Sequence, residues 1–385
     1  LLKLIYKAIL KQIIDGLALV LLYLLERKRQ PVKFEPRTHS ANNKVGMTSY
    51  PYKDKAIKIK GGDAIVEDYL REILEKEGFE VENIIYDSNK IKFGKFLEKI
   101  LGVAYVYSKI INKEGRKYNF IICGSEVLYE INHPKCINIF HISYYGYYKN
   151  VIQKTSGYKF LTYRKLWSIQ RFGAKNTYNI AVSEYLKSYL EASGIHVNKV
   201  IKNCIDTNLF RPLEQIEVKK DFVFVGTYSW YAKGFDILEK LAKKGLEIDC
   251  YTNRSHDQKG NLNFLGFMPN AMMPEIYNKY KMLIFPSRYE SCQLVPIEAM
   301  ACGLPVMISN VGIGLELRKE IPEFVVESEA NDIIYEYLEK INHIRNNYDH
   351  YSKRAREYVL NNHSFNMFKS QWIGTFKEIN SKSAD

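Results

Sequence analysis

Two carboxylates stand eight residues apart in Phe285-Pro-Ser-Arg-Tyr-Glu290-Ser-Cys-Gln-Leu-Val-Pro-Ile-Glu298-Ala-Met-Ala-Cys-Gly303-Leu-Pro305-Val306. Met282–Phe285 is apolar, brief and followed by Pro286, which predicts a buried strand. A helix is expected from about Cys292 to Ala301, closed by Gly303 and barred from continuing by Pro305. A second strand, Pro305–Ile308, follows. Glu290 then lies in the turn, and Glu298 lies about two turns into the helix. The amides of Cys292, Gln293 and Leu294 would open that helix without acceptors of their own, a ready anion site. Carboxylates around a phosphate site suit a ligand with phosphate at its centre and hydroxyls on both sides. A nucleotide-sugar has that shape.

Other residues could join such chemistry. Lys53, Lys55, Lys58 and Lys60 lead into Gly61-Gly62, and a helix is predicted over Asp63–Glu77. A Gly-Gly between strand and helix lets backbone approach a phosphate. The strand predicted over Ile137–His141 ends in a histidine, which on its own reads as an ordinary strand-end imidazole. Between Ser143 and Trp167 many rings, Tyr144, Tyr145, Tyr147 and Tyr148 among them, alternate with Lys149, Lys154, Lys159, Arg164 and Lys165. That stretch reads equally as core packing or as an acceptor surface, where rings stack on sugars and cations face phosphates. The strand Asp221–Gly226 runs into Thr227, and Lys233-Gly234 follows in the same loop. Phe264-Leu265-Gly266 forms another glycine turn after an apolar run.

The Glu290–Val306 segment resembles the signature of family 4 retaining glycosyltransferases. There a Glu-x7-Glu pair precedes an Ala-(Met/Ala)-Ala-x-Gly-x-Pro-Val run. The likeness covers roughly residues 44–380. It implies the GT-B fold: two doubly wound, parallel-sheet, Rossmann-like α/β domains facing a cleft. It also implies roles. Gly61-Gly62 and Lys233 would meet the donor diphosphate, with Gly226 and Thr227 in the same loop. Thr227 stands where the family has an arginine, and Arg288 is one candidate to replace that charge. Glu298 would hold the ribose, and Glu290 the sugar. Leu265 would lie beside the nucleobase. His141 would face sugar or acceptor, with Tyr144, Tyr145 and Tyr147 on the acceptor side. Lys202-Asn203-Cys204-Ile205-Asp206 resembles the entry to the second domain, where the family has Gly in place of Cys204.

The elements that position these residues follow from the rest of the chain. Strands alternate with helices across 385 residues, enough for two domains, and 46% of the chain is apolar, enough for a core. A net charge of +13 favours phosphate-bearing partners or marks a lysine-rich solvated surface. No helix-turn-helix, zinc-finger or RNA-recognition signature appears, so no specific nucleic-acid partner is expected. Six cysteines without a Cys-x-x-Cys pair read as reduced core residues of a cytosolic protein, without zinc spacing. In residues 1–29, Lys3, Lys7, Lys11 and Asp15 make a narrow polar stripe on an otherwise apolar helix, and Arg27-Lys28-Arg29 follows. An in-plane amphipathic helix on a membrane surface fits this pattern better than packing on the domain or a partner, or a spanning helix.

The expected domains are 1–40, an amphipathic helix and linker; 41–207, an acceptor-side domain completed by the helix 365–380; and 208–364, the nucleotide-sugar domain. The expected function is retaining transfer of a sugar from a UDP- or GDP-sugar to a glycan or lipid-linked acceptor. No cofactor or metal is expected. The expected location is cytoplasmic, peripheral on the inner face of the cell membrane. The rivals are a non-catalytic GT-B subunit binding nucleotide-sugar or glycan at a membrane, and a GT-B epimerase or phosphorylase.

Overall fold

The computed structural model describes residues 10–20, 43–48, 62–101, 103–124, 131–217, 220–254, 257–327 and 332–382. The chain divides into two compact units. The first comprises Leu1–Val182, Leu186–Ile201 and Trp372–Asp385; the second comprises Ser183–Tyr185 and Lys202–Gln371.

The first unit is built on six strands among the described residues. They are β1 (Lys44–Thr48), β2 (Glu80–Ile84), β3 (Phe120–Cys123), β4 (Cys136–Phe140), β5 (Tyr178–Ala181) and β6 (Lys199–Val200), in the order β2-β1-β3-β4-β5-β6. All pairings are parallel. Parallel strands are covered on both faces, so they read as continuous apolar runs. Phe120-Ile-Ile-Cys123 and Cys136-Ile-Asn-Ile-Phe140 are buried throughout. The aromatic stripe of the last helix, Phe365–Lys382, buries Trp372 and Phe376 in this unit, with the Phe376 ring 5.3 Å from Phe120 and 6.1 Å from Phe79.

The second unit holds seven described strands: β7 (Lys220–Val225), β8 (Ile248–Tyr251), β9 (Asp257–Lys259), β10 (Leu262–Phe264), β11 (Tyr280–Phe285), β12 (Val306–Ser309) and β13 (Val325–Val326). Their order is β13-β12-β11-β7-β8-β10-β9. Only the edge pair β9–β10 is antiparallel. β11 and β12 supply the buried centre, as their Met-Leu-Ile-Phe and Val-Met-Ile-Ser runs require. Both units are therefore doubly wound parallel sheets, as expected from the alternation of strands and helices.

Residues 10–20 are helical, as expected, and the rest of the expected N-terminal helix and linker lies outside the described residues. Among the described residues, no helix is long and apolar enough to cross a membrane.

Candidate functional site

In the second sheet the chain order reverses between β7 and β11, which are neighbours. Ligands of doubly wound sheets sit outside the carboxyl ends of strands at such a reversal. The segments leaving those two ends are 226–234 and 286–293, and they bring Lys233 and Glu290 together. Lys233 Nζ donates to Glu290 Oε1 at 2.5 Å and lies 5.3 Å from the Phe285 ring centroid.

Two devices join these segments. Gly234 has φ +69°, and a Cβ there would lie 2.1 Å from the Pro286 carbonyl oxygen, so only glycine fits. Arg288 donates from both terminal nitrogens to the Asp236 carboxylate at 2.6 Å each, and to the Tyr231 carbonyl at 2.7 Å. This corrects the candidacy of Arg288 as a replacement phosphate clamp: its fork is committed to holding the loop. Asp236, in the first turn of the helix Phe235–Lys243, was not singled out from the sequence. The pair is 52 residues apart in the chain, so no local pattern announces it.

The helix carrying Glu298 spans Leu294–Ala301, two residues shorter at its start than expected. Gln293 caps it in an extended conformation. The Gln293 amide explains the late start: Nε2 donates to Val311 O at 2.9 Å, and Oε1 accepts from Ile313 N at 2.8 Å. The side chain thus ties the helix entry to the turn after β12, where Gly312 has φ +57° and no room for a Cβ beside Gln293. Cys292 consequently falls outside the helix, and the amides at its mouth are those of Gln293, Leu294 and Val295, since Pro296 has none. The Cys292 thiol is buried and pushed up to about 12 by desolvation, an inert side chain.

Glu298 is 6% exposed, and its Oε2 accepts from Tyr277 Oη at 2.9 Å. Burial raises its carboxyl to about 7, with the Tyr277 hydroxyl pulling the other way. Behind the turn, Asn203 Nδ2 donates to Cys292 O at 3.5 Å, and Ser183 Oγ donates to Ser291 O at 2.5 Å. His363 Nδ1 lies 2.8 Å from Asn203 O, and burial pulls this imidazole down to about 4. Asp206 accepts from the amides of Asn208 and Leu209, the turn role open to it from sequence alone.

Gly226 and Thr227 follow β7, with Thr227 exposed. Tyr228 N donates to Asn253 Oδ1 at 2.7 Å, and the Arg254 guanidinium stacks 5.2 Å over Tyr228 and 4.4 Å over Phe264. Arg254 is a cation that sequence reading missed, because it comes from the turn after β8 rather than from the Thr227 loop. The Leu265 amide donates to Cys250 O at 3.0 Å, prolonging the pairing of β10 with β8.

The remaining candidates belong to the first unit. Gly62 opens the helix Gly62–Lys76, while Gly61 and the lysine-rich loop lie outside the described residues. His141 comes just after β4 and is half-buried. Ser143 caps the helix Tyr144–Tyr147, accepting from Gly146 N at 3.1 Å. Tyr144 N donates to Gln170 Oε1 at 3.3 Å. Tyr145 meets Trp167 edge-on at 5.6 Å, and Tyr147 lies 5.9 Å from Tyr163. Ring packing therefore accounts for much of this aromatic stretch. Among the described residues, no group of three His, Cys, Asp or Glu side chains is placed to hold a metal ion.

Residues 251–358 match the family model described as Glycosyl transferases group 1. An uncharacterized 41.2 kDa protein in the cps region of Klebsiella pneumoniae is 26% identical over 260 residues, covering 60% of this chain and 70% of the relative. The O-antigen chain mannosyltransferase B of Escherichia coli is 33% identical over 76 residues, 20% of this chain and 17% of that protein. Among solved structures, sucrose-phosphate synthase from Thermosynechococcus elongatus superposes with a TM-score of 0.64 at 17% identity, covering 88% of this chain and 99% of that one. Anabaena Alr3699/HepE in complex with UDP-glucose gives 0.60 at 14% identity, covering 87% and 99%. The fold is GT-B, and residues 251–358 are similar to glycosyl transferases of group 1.

Proposed function

We propose that the protein is a retaining glycosyltransferase of family 4 that moves a sugar from a UDP- or GDP-sugar to a glycan or lipid-linked acceptor. The observation that carries this reading is the meeting of Lys233 and Glu290 at the reversal point of the second sheet. Donor diphosphate would draw the Lys233 ammonium away from Glu290, and freed carboxylate would accept from sugar hydroxyls. The amides at the mouth of the helix Leu294–Ala301 face the same charge. Glu298 holds the ribose hydroxyls. Arg254 supplies the second cation that Thr227 lacks. Leu265 borders the base through groups other than its committed amide.

In the transfer, the bond from the anomeric carbon to the diphosphate oxygen breaks, and the acceptor oxygen bonds to that carbon on the same face. The acceptor proton passes to the departing phosphate oxygen. Charge on the leaving group is what catalysis must stabilise. Lys233 and the helix-end amides do so, and the reading calls on no metal or cofactor. Glu290 steadies positive charge on the ring. The matching share of an O-antigen mannosyltransferase supports a glycan-building role. Such work would place the protein in the cytoplasm, on the inner face of the cell membrane.

The test is release of nucleoside diphosphate from a panel of UDP- and GDP-sugars with glycan and lipid-linked acceptors. One donor should turn over, with product retaining the anomeric configuration by NMR, and Arg254→Ala should slow it at least tenfold. Donor binding without turnover of any acceptor would favour the binding-subunit reading, and an inverted product would refute retention.

A further inference from the structure

Residues 85–94, Ile-Tyr-Asp-Ser-Asn-Lys-Ile-Lys-Phe-Gly, leave the carboxyl end of β2 in the first unit. This loop is fixed along its length. Tyr86 Oη donates to Glu98 Oε2 at 2.8 Å, and its ring meets Tyr107 edge-on at 5.5 Å. Asp87 Oδ1 accepts from Asn89 N at 2.9 Å, and Lys90 Nζ donates to Glu114 Oε1 at 2.6 Å. Gly94 N donates to Ile91 O at 2.8 Å, and a Cβ on Gly94 would lie 1.9 Å from Ser88 O, so the loop closes on itself.

On this frame Phe93 has φ +58°. Among the described residues, no other residue but glycine has a positive φ. A side chain is strained there, because its Cβ crowds the following carbonyl oxygen. Packing does not offset that strain, since Phe93 is 71% exposed. Glycine would adopt the same backbone without it. The phenyl ring thus costs the folded chain free energy and gains little burial in return. Strain of this kind gathers at ligand clamps, where an outside partner supplies the missing contact.

The surroundings indicate which partner. Ile85, in the same loop, is 62% exposed. Lys92 and Lys95 are exposed, and neither enters an ion pair among the described residues. Lys92 Nζ lies 5.5 Å from the Phe93 ring centroid. The carboxyl ends of strands are where doubly wound sheets hold ligands. β1 and β3 separate β2 from β4, so the loop stands about 14 Å, three strand spacings, from the residues that leave β4. A flat apolar ring beside ammonium groups matches the C–H face of a sugar and the carboxylate or phosphate of an acidic glycan.

We propose that Phe93, with Lys92 and Lys95, is a binding platform for an acidic glycan chain. The ring stacks on a sugar of the chain, and the lysines pair with its negative groups. This subsite is set apart from residues 141–147. The inference rests on the proposed function only in taking the acceptor to be a glycan.

The test is retention of the full chain, without donor, on immobilised oligosaccharides. The neutral probes are malto- and mannooligosaccharides, and the acidic ones oligogalacturonates and oligomannuronates. Acidic chains should be held about tenfold better than neutral ones, with the difference shrinking as salt is added. Phe93→Gly should weaken retention about tenfold, as for a lost ring contact, while Phe93→Tyr keeps it. Thermal unfolding of Phe93→Gly should be unchanged or shifted upward, because glycine relieves the strain; a ring that served only the fold would shift it downward. Lys92→Ala with Lys95→Ala should remove the preference for acidic chains. No retention of any probe, retention unchanged in Phe93→Gly, or neutral chains held as well as acidic ones would overturn the proposal. Vesicle binding or self-association lost in Phe93→Gly, without glycan retention, would overturn it in favour of a bilayer or a second copy. Nucleotide-sugar binding, measured separately, should be the same in Phe93→Gly. Donor binding without glycan retention sinks this inference alone, and retention without donor binding sinks the donor reading alone.

Discussion

Glu298 shows how burial alone sets the behaviour of a carboxylate. Its carboxyl is raised from 4.5 to about 7, although the Tyr277 hydroxyl that donates to it pulls the other way. A folded-state pKa above the unfolded value means that the native state holds the proton more tightly. The associated stability is complete below about pH 4.5 and is lost as pH rises through about 7. Glu298→Gln should therefore match the parent protein in thermal unfolding near pH 4.5 and exceed it at pH 8, by at most about 3 kcal/mol. A melting difference that does not change with pH would refute this account of the site. The Glu-x7-Glu spacing was legible in the sequence; the protonation of its second member was not, because it depends on burial in the folded unit, which no local pattern sets.

The elements show where sequence reading ends. Apolar runs located the central strands to within about two residues, because parallel strands are apolar on both faces. The start of the helix Leu294–Ala301 was set too early, because the decisive feature is a side-chain amide bonding to Val311 and Ile313, far along the chain. Arg288 was read as a possible ligand for phosphate for the same reason: its partner Asp236 is distant in sequence. Gln293→Leu would remove the side-chain partner of the Val311 carbonyl and the Ile313 amide. We expect it to cost about 2–4 kcal/mol in denaturant unfolding, the sum of two buried polar groups left unpaired. It should also weaken nucleotide binding, because the helix mouth loses its tether. An unchanged midpoint would mean that the two turns are held by other contacts.

For the whole molecule, the alternation of strands and helices indicated two doubly wound sheets, and both are present. Which strand neighbours which was not readable from periodicity, yet it decides the chemistry. Only the adjacency of β7 and β11 brings Lys233, at 57 residues' separation, against Glu290. Local motifs named both residues, and topology gave them a common place. The central claim is that this meeting of Lys233 and Glu290 is a nucleotide-sugar donor site. Isothermal titration calorimetry of UDP- and GDP-sugars into the protein and into Lys233→Ala tests it most directly. The account predicts one-to-one binding of one nucleotide class, weakened about 10- to 100-fold in the variant, as expected for a lost charge-assisted bond to phosphate. Equal affinity in the two proteins, or no binding of either class by the folded parent, would contradict it.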